Sequence, residues 1–300
     1  MTTIRTLAAA CAVSMLSLGL AMAQTPAQTP APAPAAGGAA KDKSMETSAP
    51  KAEKAYEPVS GQAGKDVVWV PTDLTLVNAM LDMAKATPED YVIDLGSGDG
   101  RTVITAAKRG IKALGIEYNP DLVALSKRNA EREGAGDKAT FKQADIFETD
   151  FSQATVLTLF LLPELNLRLR PTILDMKPGT RVVSNTFTME NWQADQTIEV
   201  SDGCASYCRA YKWIVPAKVG GSWKMPNGEL KLEQTFQMLS GTLTTGTKQA
   251  KIEEAKMTGT QIEFTADGRR YTGKVEDGRM TGTTEVDGKS QDWSATRAGG

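Results

Sequence analysis

The 300-residue sequence predicts an α/β fold built on a mostly parallel sheet, followed by a region of antiparallel β-structure. From residue 67 to residue 187, short apolar segments rich in β-branched residues alternate with segments whose apolar residues recur at helical spacing. Such alternation is typical of βαβ units with right-handed crossovers. After residue 218 the helical spacing disappears and turn sequences recur instead. The first region is therefore predicted to be a Rossmann-like, doubly wound sheet of seven strands, and the second a C-terminal antiparallel β meander or small barrel.

The elements of the first region follow one another along the chain. Thr72 or Asp73 is placed to cap a first helix, LTLVNAMLDMAK, and RTVITAAKRG and NPDLVALSKRNAERE predict the next two. The segment PELNLRLRPTILDM predicts a fourth helix, interrupted at Pro171. The strands are predicted at 91–96, 112–117, 138–145, 155–162 and 181–187, and the antiparallel pair QTIEV and YCRAYKWIVP completes the seven.

The second region, residues 218–300, consists of short alternating segments that begin with ELKLEQTFQML. Turn sequences separate them, at Pro226-Asn227-Gly228, Asp267-Gly268, Asp277-Gly278 and Asp287-Gly288. We interpret this region as a β-rich accessory domain. It either binds a partner or a second copy of the chain, or it only stabilises the fold.

The N-terminal residues 1–23 have the features of a secretory signal peptide. Arg5 is followed by a short apolar stretch from Leu7 to Leu20, and Ala21-Met22-Ala23 forms an A-x-A cleavage site. The sequence therefore predicts an exported, periplasmic protein with no stable membrane span once the signal is cleaved. An uncleaved anchor is the alternative interpretation.

Residues 24–64 are rich in Ala and Pro and then in mixed charges, without apolar periodicity. Such a composition cannot bury enough apolar surface to order the chain, and it predicts a disordered linker. The main domain is then expected to span residues 65–217.

Composition excludes several kinds of chemistry. The chain has no histidine, so a Ser-His-Asp triad, a His general base and a His metal ligand are all impossible. Three cysteines cannot form a four-thiolate zinc site, and we predict no metal. The net charge of −2 argues against a nucleic-acid partner. Cys204 and Cys208 would remain after signal cleavage, either paired or reduced.

A glycine-rich turn follows the first predicted strand, with the sequence Asp94-Leu95-Gly96-Ser97-Gly98-Asp99-Gly100. Glycines let a ligand approach the backbone, and the following helix presents its N-terminus. The dinucleotide fingerprint G-x-G-x-x-G is not met, because Arg101 stands where its last glycine belongs. An acidic loop suits a ligand that carries positive charge, which favours S-adenosylmethionine over NAD.

Acidic residues also end the next two predicted strands. Glu117 lies 21 positions after Gly96, where a carboxylate can accept hydrogen bonds from ribose hydroxyls. Asp145 ends the third strand, and the neighbouring Ile146 and Phe147 can flank an adenine ring. Since parallel strands end at one edge of the sheet, these acids and the glycine turn are expected to form one site.

These motifs resemble those of class I S-adenosylmethionine-dependent methyltransferases. VIDLGSGDGRTVITAAK is similar to the family's first motif, and GIEYNPDLV and QADIF resemble its second and third. WVPTD, FLLPELN and KPGTRVVSNTF resemble a narrower family of small lysine methyltransferases, which includes the mitochondrial enzymes acting on the ATP synthase c-subunit and on the adenine nucleotide translocase. The resemblance covers residues 67–216.

The resemblance implies roles for individual residues. The backbone of Gly96, Ser97 and Gly98 would contact the methionine part of the cofactor, while Asp94 and Asp99 would orient the loop and the ligand's ammonium. Glu117 would bind the ribose, and Asp145 with Ile146 the adenine. The N-terminal segment would close over the cofactor through Pro71 and Thr72.

The methyl acceptor is expected after the fourth strand, at Phe160, Leu161, Leu162, Pro163 and Glu164. Of these, Phe160, Pro163 and Glu164 are the candidates for catalysis, with Glu164 as the proton acceptor. The function implied is methyl transfer to a protein lysine side chain. A small-molecule methyltransferase, or a non-catalytic envelope module that binds S-adenosylmethionine or a nucleoside, remains as an alternative. Oligomeric state is left open.

Overall fold

The computed structural model describes residues 56–286 and 288–298. The predicted signal peptide and residues 24–55 of the predicted linker lie outside the described residues. Residues 56–64, also assigned to the linker, make regular contacts: the Gly61 N–H donates to the Trp69 carbonyl at 2.8 Å, and Ala63 pairs with Val68 in an antiparallel bridge. The folded part of the chain therefore begins before residue 65.

In the described part of the chain, four helices cover the faces of the sheet: α1 (Leu74–Met83), α2 (Arg101–Lys108), α3 (Pro120–Arg132) and α4 (Pro163–Leu174). Asp73 caps α1 by accepting from the Thr75 N–H at 2.8 Å, and Asn119 caps α3 in the same way. The predicted interruption at Pro171 is wrong, because α4 continues to Leu174. Pro171 lies in the last turn of the helix, where its missing N–H removes little of the hydrogen-bond ladder.

The seven predicted strands form one sheet in the order β3-β2-β1-β4-β5-β7-β6. All neighbours are parallel except β7, which pairs antiparallel with β5 and β6. The strands are β1 (Tyr91–Leu95), β2 (Lys112–Glu117), β3 (Ala139–Gln143), β4 (Val156–Leu159), β5 (Arg181–Asn185), β6 (Gln196–Glu199) and β7 (Arg209–Ile214). The strand order reverses at β1, which has β2 on one side and β4 on the other, so a crevice is expected at the carboxyl ends of these strands.

The central strand β1 contributes residues to the apolar clusters on both faces of the sheet. Val92 belongs to a buried cluster with residues of α1 and α2, whereas Ile93 and Leu95 belong to the cluster that contains α4 residues. Successive side chains of a strand point to opposite faces, so a short buried strand between helices must be apolar on both. Asp94 breaks this apolar pattern one residue before the strand ends.

The C-terminal region is a closed barrel of eight antiparallel strands, which confirms the barrel form of the prediction. Neighbouring strands are consecutive in sequence, and the closure pairs the last strand with the first. The strands are β8 (Gly221–Met225), β9 (Gly228–Thr235), β10 (Met238–Thr245), β11 (Lys248–Thr258), β12 (Gln261–Ala266), β13 (Arg269–Glu276), β14 (Arg279–Val286) and β15 (Lys289–Arg297). The barrel core includes Trp223, Phe264 and Tyr271, with the Phe264 and Tyr271 rings stacked at 4.7 Å.

The segment ELKLEQTFQML is not one strand, because the chain turns between β9 and β10. Phe236 adopts a left-handed φ of 55° in this turn, and its ring stacks on Trp192 of the sheet domain at 5.8 Å. A contact between the two regions thus sets a turn that lacks the usual turn residues. Further contacts join them, including Gln237 Nε2 to the Gln193 carbonyl at 2.7 Å.

Among the described residues, the helices are all too short or too polar to cross a bilayer.

Candidate cofactor and acceptor site

A cleft opens at the carboxyl edge of the sheet, where the strand order reverses. All ten residues predicted to bind a cofactor line it: Pro71, Thr72, Asp94, Gly96, Ser97, Gly98, Asp99, Glu117, Asp145 and Ile146. They come from the N-terminal segment and from the ends of β1, β2 and β3, so the fold brings together residues up to 75 positions apart in the chain.

The glycine turn after β1 is tightly packed. Gly98 has a φ of 55°, and a Cβ there would lie 2.6 Å from the indole nitrogen of Trp69. Gly100 has a φ of 84° and would meet Phe141 at 2.8 Å. Both positions therefore require glycine, for backbone conformation and for space. The N–H groups of Gly96 and Ser97 donate to the Ile116 carbonyl, which fixes the turn against β2.

Glu117 ties the glycine turn to the end of β2. One carboxylate oxygen accepts from the Gly98 N–H and the other from the Asn119 N–H, each at 2.9 Å. Hydrogen bonds to an ionised acceptor are stronger than neutral ones. Each carboxylate oxygen can accept more than one hydrogen bond, so ribose hydroxyls can share these oxygens with the backbone.

Asp94 is a buried carboxyl group beneath the turn, with 7% of the residue exposed. Burial raises its pKa to about 7, and the nearby charge of Glu117 acts in the same direction. The Thr158 hydroxyl donates to it at 2.6 Å and partly opposes the shift. A cationic group bound in the cleft would favour the ionised form of Asp94.

Asp99 connects the turn to the N-terminal segment through Arg101. The guanidinium of Arg101 forks onto the Asp99 carboxylate, with Nη2 to Oδ2 at 2.6 Å, and its other amino group donates to the Thr72 carbonyl at 2.9 Å. Thr72 is also contacted by Asn185, whose amide donates to the Thr72 hydroxyl at 3.2 Å. This network holds residues 71–72 against the cleft.

Asp145 follows β3 and lines the cleft where adenine is expected. Lys65 donates to its carboxylate and also lies over the Tyr118 ring, with Nζ 4.5 Å from the centroid. The Lys65 ammonium is the main cause that lowers the pKa of Asp145, and the Phe147 N–H adds to it at 2.9 Å. Lys65 therefore shares the carboxylate with an adenine amino group, because each of its oxygens can accept more than one hydrogen bond.

The chemistry of the lining fits S-adenosylmethionine. Five acidic residues line the cleft, Asp66, Asp94, Asp99, Glu117 and Asp145. The ligand carries a sulfonium and an ammonium beside one carboxylate, together with ribose hydroxyls and an adenine amino group. The Ser97 hydroxyl is buried and has no hydrogen-bond partner among the described residues. This side chain lies against Gly115 of β2, where a Cβ would meet the Ser97 oxygen at 2.5 Å, so the turn is closely packed on that side.

The acceptor end of the cleft is apolar and aromatic. Phe160 follows β4, and its ring stacks on Phe187 at 6.1 Å and meets the edge of Tyr207 at 5.3 Å. All three rings line the cleft, and we call them the aromatic trio. The side chain of Leu161 connects them to the turn, because its Cδ2 would lie 3.2 Å from a Cβ at Gly96.

Two of the three residues predicted for catalysis do not line the cleft. Phe160 does, but Pro163 and Glu164 do not, and Glu164 is exposed. The chain leaves β4 at Leu159 and turns into α4 at Pro163, so Glu164 lies in the first helical turn, where an acid is favoured by the helix dipole. The structure gives no support for Glu164 as the proton acceptor.

Sequence reasoning missed Lys65, Trp69, Tyr118, Phe187 and Tyr207, which also line the cleft. Trp69 and Phe187 lie within motifs that carry the family resemblance, so their position could have been noticed. Tyr207 had a weaker signal, its place between two cysteines that form a disulfide, Cys204–Cys208.

The sheet order, the glycine turn and the acids at the carboxyl edge are those of a class I S-adenosylmethionine-dependent methyltransferase. Comparison with known proteins agrees, since a family model described as the ANTKMT methyltransferase domain matches residues 94–196. A protein-lysine N-methyltransferase of Saccharolobus islandicus is 43% identical over 140 residues, which cover 46% of this chain and 87% of that protein. The chain therefore belongs to the same methyltransferase family as that protein-lysine N-methyltransferase, and its cofactor is S-adenosylmethionine.

Two further proteins match a similar share of the chain. The human lysine N-methyltransferase of the ATP synthase c-subunit is 38% identical over 128 residues, which cover 42% of this chain and 54% of that protein. A solved structure, an RNA methyltransferase from Salinibacter ruber in complex with S-adenosyl-L-homocysteine, is 42% identical and superimposes with a TM-score of 0.47 over 50% of this chain and 96% of that one.

Proposed function

We propose that this protein transfers the methyl group of S-adenosylmethionine to a lysine side chain of another protein. The observation that carries the proposal is the aromatic trio beside the glycine turn, because it offers an apolar channel next to the expected position of the methyl group. The names of the Saccharolobus and human relatives support a lysine acceptor.

When bound, the cofactor supplies a sulfonium, which is an already activated methyl donor. The chain has to align the acceptor with it and exclude water, which demands no imidazole. The glycine turn, Asp94 and Glu117 position the ligand, while the aromatic trio and Leu161 form dry walls around the acceptor.

The acceptor amine has to be neutral in order to attack. A lysine in water has a pKa of about 10.4, and an apolar environment lowers it by disfavouring the charged form. Leu162 and Tyr207, 41% and 45% exposed, lie where the cleft opens to solvent. The proton can therefore pass to water at this opening, without a carboxylate of the cleft.

The test uses a whole-cell extract of a strain that lacks this chain. Purified protein and methyl-labelled S-adenosylmethionine are incubated with the extract, and the protein fraction is hydrolysed to amino acids. We expect labelled methyllysine. Label that appears in RNA or in small molecules instead, or in no fraction although the cofactor binds, would contradict the proposal and favour one of the alternatives.

We further propose that the protein is exported to the periplasm, as the N-terminal sequence predicts. The Cys204–Cys208 disulfide supports this, since disulfides persist mainly in oxidising compartments. The cofactor is made in the cytoplasm, so export requires a supply outside it. Cell fractionation, with thiol labelling of the recovered chain, should find it in the periplasm with both cysteines blocked; a cytoplasmic chain with reactive thiols would contradict export.

A further inference from the structure

Tyr207 stands at the mouth of the cleft in an unusual conformation. Its φ is 57°, which bulky residues rarely adopt, and 45% of the residue is exposed. Its ring nevertheless packs against Phe160 at 5.3 Å. A residue with such a backbone conformation is held in it by the surrounding structure.

The surroundings are a short loop between β6 and β7. The Cys204–Cys208 disulfide closes the loop around Tyr207. At its start, the Gly203 carbonyl accepts from the Thr75 hydroxyl of α1 at 3.0 Å. At its end, the Cys208 carbonyl accepts from the Val200 N–H at 2.9 Å. The loop is thus fixed at both ends, and the disulfide restricts what lies between.

The position of Tyr207 relates it to the acceptor and not to the cofactor. It contacts Phe160 of the aromatic trio at the end of β4, whereas the residues expected at the ribose and adenine follow β2 and β3. It is also the more exposed end of the trio, where a side chain from another protein would enter. A lysine that enters there from solvent is still charged, and aromatic rings attract ammonium groups through cation–π interactions. The loss of its proton belongs to the apolar part of the site beside the methyl donor.

We propose that Tyr207 forms the outer wall of the acceptor site, and that the Cys204–Cys208 loop positions it there. This inference rests on the proposed lysine methylation. The disulfide then serves recognition of the acceptor: it fixes an aromatic ring at the entrance of the site, in a loop that would otherwise be free to move.

The test compares Tyr207→Ala, Tyr207→Phe, the pair Cys204→Ser/Cys208→Ser and the triple variant, in the full mature chain. Methyllysine formation is measured against increasing amounts of the deficient-strain extract, and S-adenosylmethionine binding is measured by calorimetry. Met238→Ala is the matched control, because Met238 is 50% exposed but lies on the barrel. Thermal unfolding reports whether each variant is folded.

We expect Tyr207→Ala to raise the half-saturating amount of extract about tenfold, while cofactor affinity stays within about twofold. Tyr207→Phe should restore the wild-type dependence, since the ring is kept. The cysteine pair should shift the dependence in the same direction, and adding Tyr207→Ala to it should change little more, because both act through one side chain.

Three results separate the possible failures. If the wild type forms no methyllysine, the proposed function fails, and this inference fails with it. If the wild type forms methyllysine and Tyr207→Ala has the wild-type acceptor dependence, the role of Tyr207 is overturned while the function stands. If the effects of Tyr207→Ala and the cysteine pair add fully, the disulfide does not act through Tyr207.

Discussion

The sheet domain and the barrel use charged residues in opposite ways. The sheet gathers Asp94, Glu117 and Asp145 at one edge, where they line a cleft. The barrel spreads its charges over the outer surface in pairs such as Lys248–Asp267 and Arg270–Glu263, whose side chains are all at least 45% exposed.

Strand direction explains the difference. Parallel strands end at the same edge, so residues far apart in sequence converge there. Consecutive strands of an antiparallel barrel end alternately at its two ends, and their alternating side chains send apolar residues inwards and charges outwards. On this comparison we expect the sheet domain to carry the cofactor site and the barrel to contribute to stability through its filled core.

The largest expected effect concerns the barrel core. Phe264 is 1% exposed and contacts both Tyr271 and Trp293, so Phe264→Ala should lower the free energy of unfolding by about 3–5 kcal/mol. Denaturant unfolding gives this value, and calorimetry should show unchanged cofactor affinity in the protein that remains folded. If the folded Phe264→Ala protein bound S-adenosylmethionine more weakly than the wild type, the barrel would contribute to cofactor binding, and the division of roles between barrel and sheet would be wrong.

In the sheet, removal of Glu117 should act on binding. Glu117→Ala leaves the N–H groups of Gly98 and Asn119 without their acceptor, and removes the ribose partner. We expect S-adenosylmethionine affinity to fall by about 10- to 100-fold. Glu276→Ala is the control, because its exposed pair with Lys274 contributes little; equal affinities in the two variants would exclude Glu117 from the site.

Because Asp94 has a raised pKa, we expect cofactor binding to depend on pH. Its pKa of about 7 means that the free protein holds a proton there at lower pH, whereas a bound cation favours the ionised form. Binding should therefore release a proton below pH 7, and affinity should fall by up to about tenfold per pH unit as the pH decreases further.

The Asp94→Asn variant tests whether Asp94 is the group responsible. This variant cannot ionise at that position, so its affinity should be low and nearly independent of pH between 5 and 8, as measured by titration calorimetry. A pH profile equal to that of the wild type would assign the dependence to another group.

The smallest expected effect is at Glu164. Since this residue is exposed and outside the cleft, Glu164→Gln should change the rate of methyllysine formation by less than about threefold. A loss of two orders of magnitude would restore the role that the sequence suggested, and would require α4 to move towards the cleft.

The sheet, its strand ends and ten residues that line the cleft could be predicted from the sequence, because these depend on local patterns. Glycines and acids that directly follow apolar strands identify the carboxyl edge of a parallel sheet, and this signal does not depend on how the helices pack. Lys65, Phe187 and Tyr207 could not be placed in this way. Their positions depend on how the N-terminal segment and the loop between β6 and β7 fold back over the cleft, which is a matter of tertiary contacts.

The two local errors have different causes. Pro171 was expected to break α4, but the helix was already close to its end. Phe236 carries no turn signal, yet its contact with Trp192 fixes a turn between β9 and β10.

The most direct test of the account is a calorimetric titration of the mature chain with S-adenosylmethionine, together with Gly98→Val and Gly278→Val. Both glycines have positive φ, but a side chain at Gly98 would meet Trp69 at 2.6 Å, whereas nothing lies within 4 Å of one at Gly278. The account predicts one bound cofactor per chain in the wild type and in Gly278→Val, and none in Gly98→Val. Absence of binding in the wild type, or equal binding in all three proteins, would contradict it.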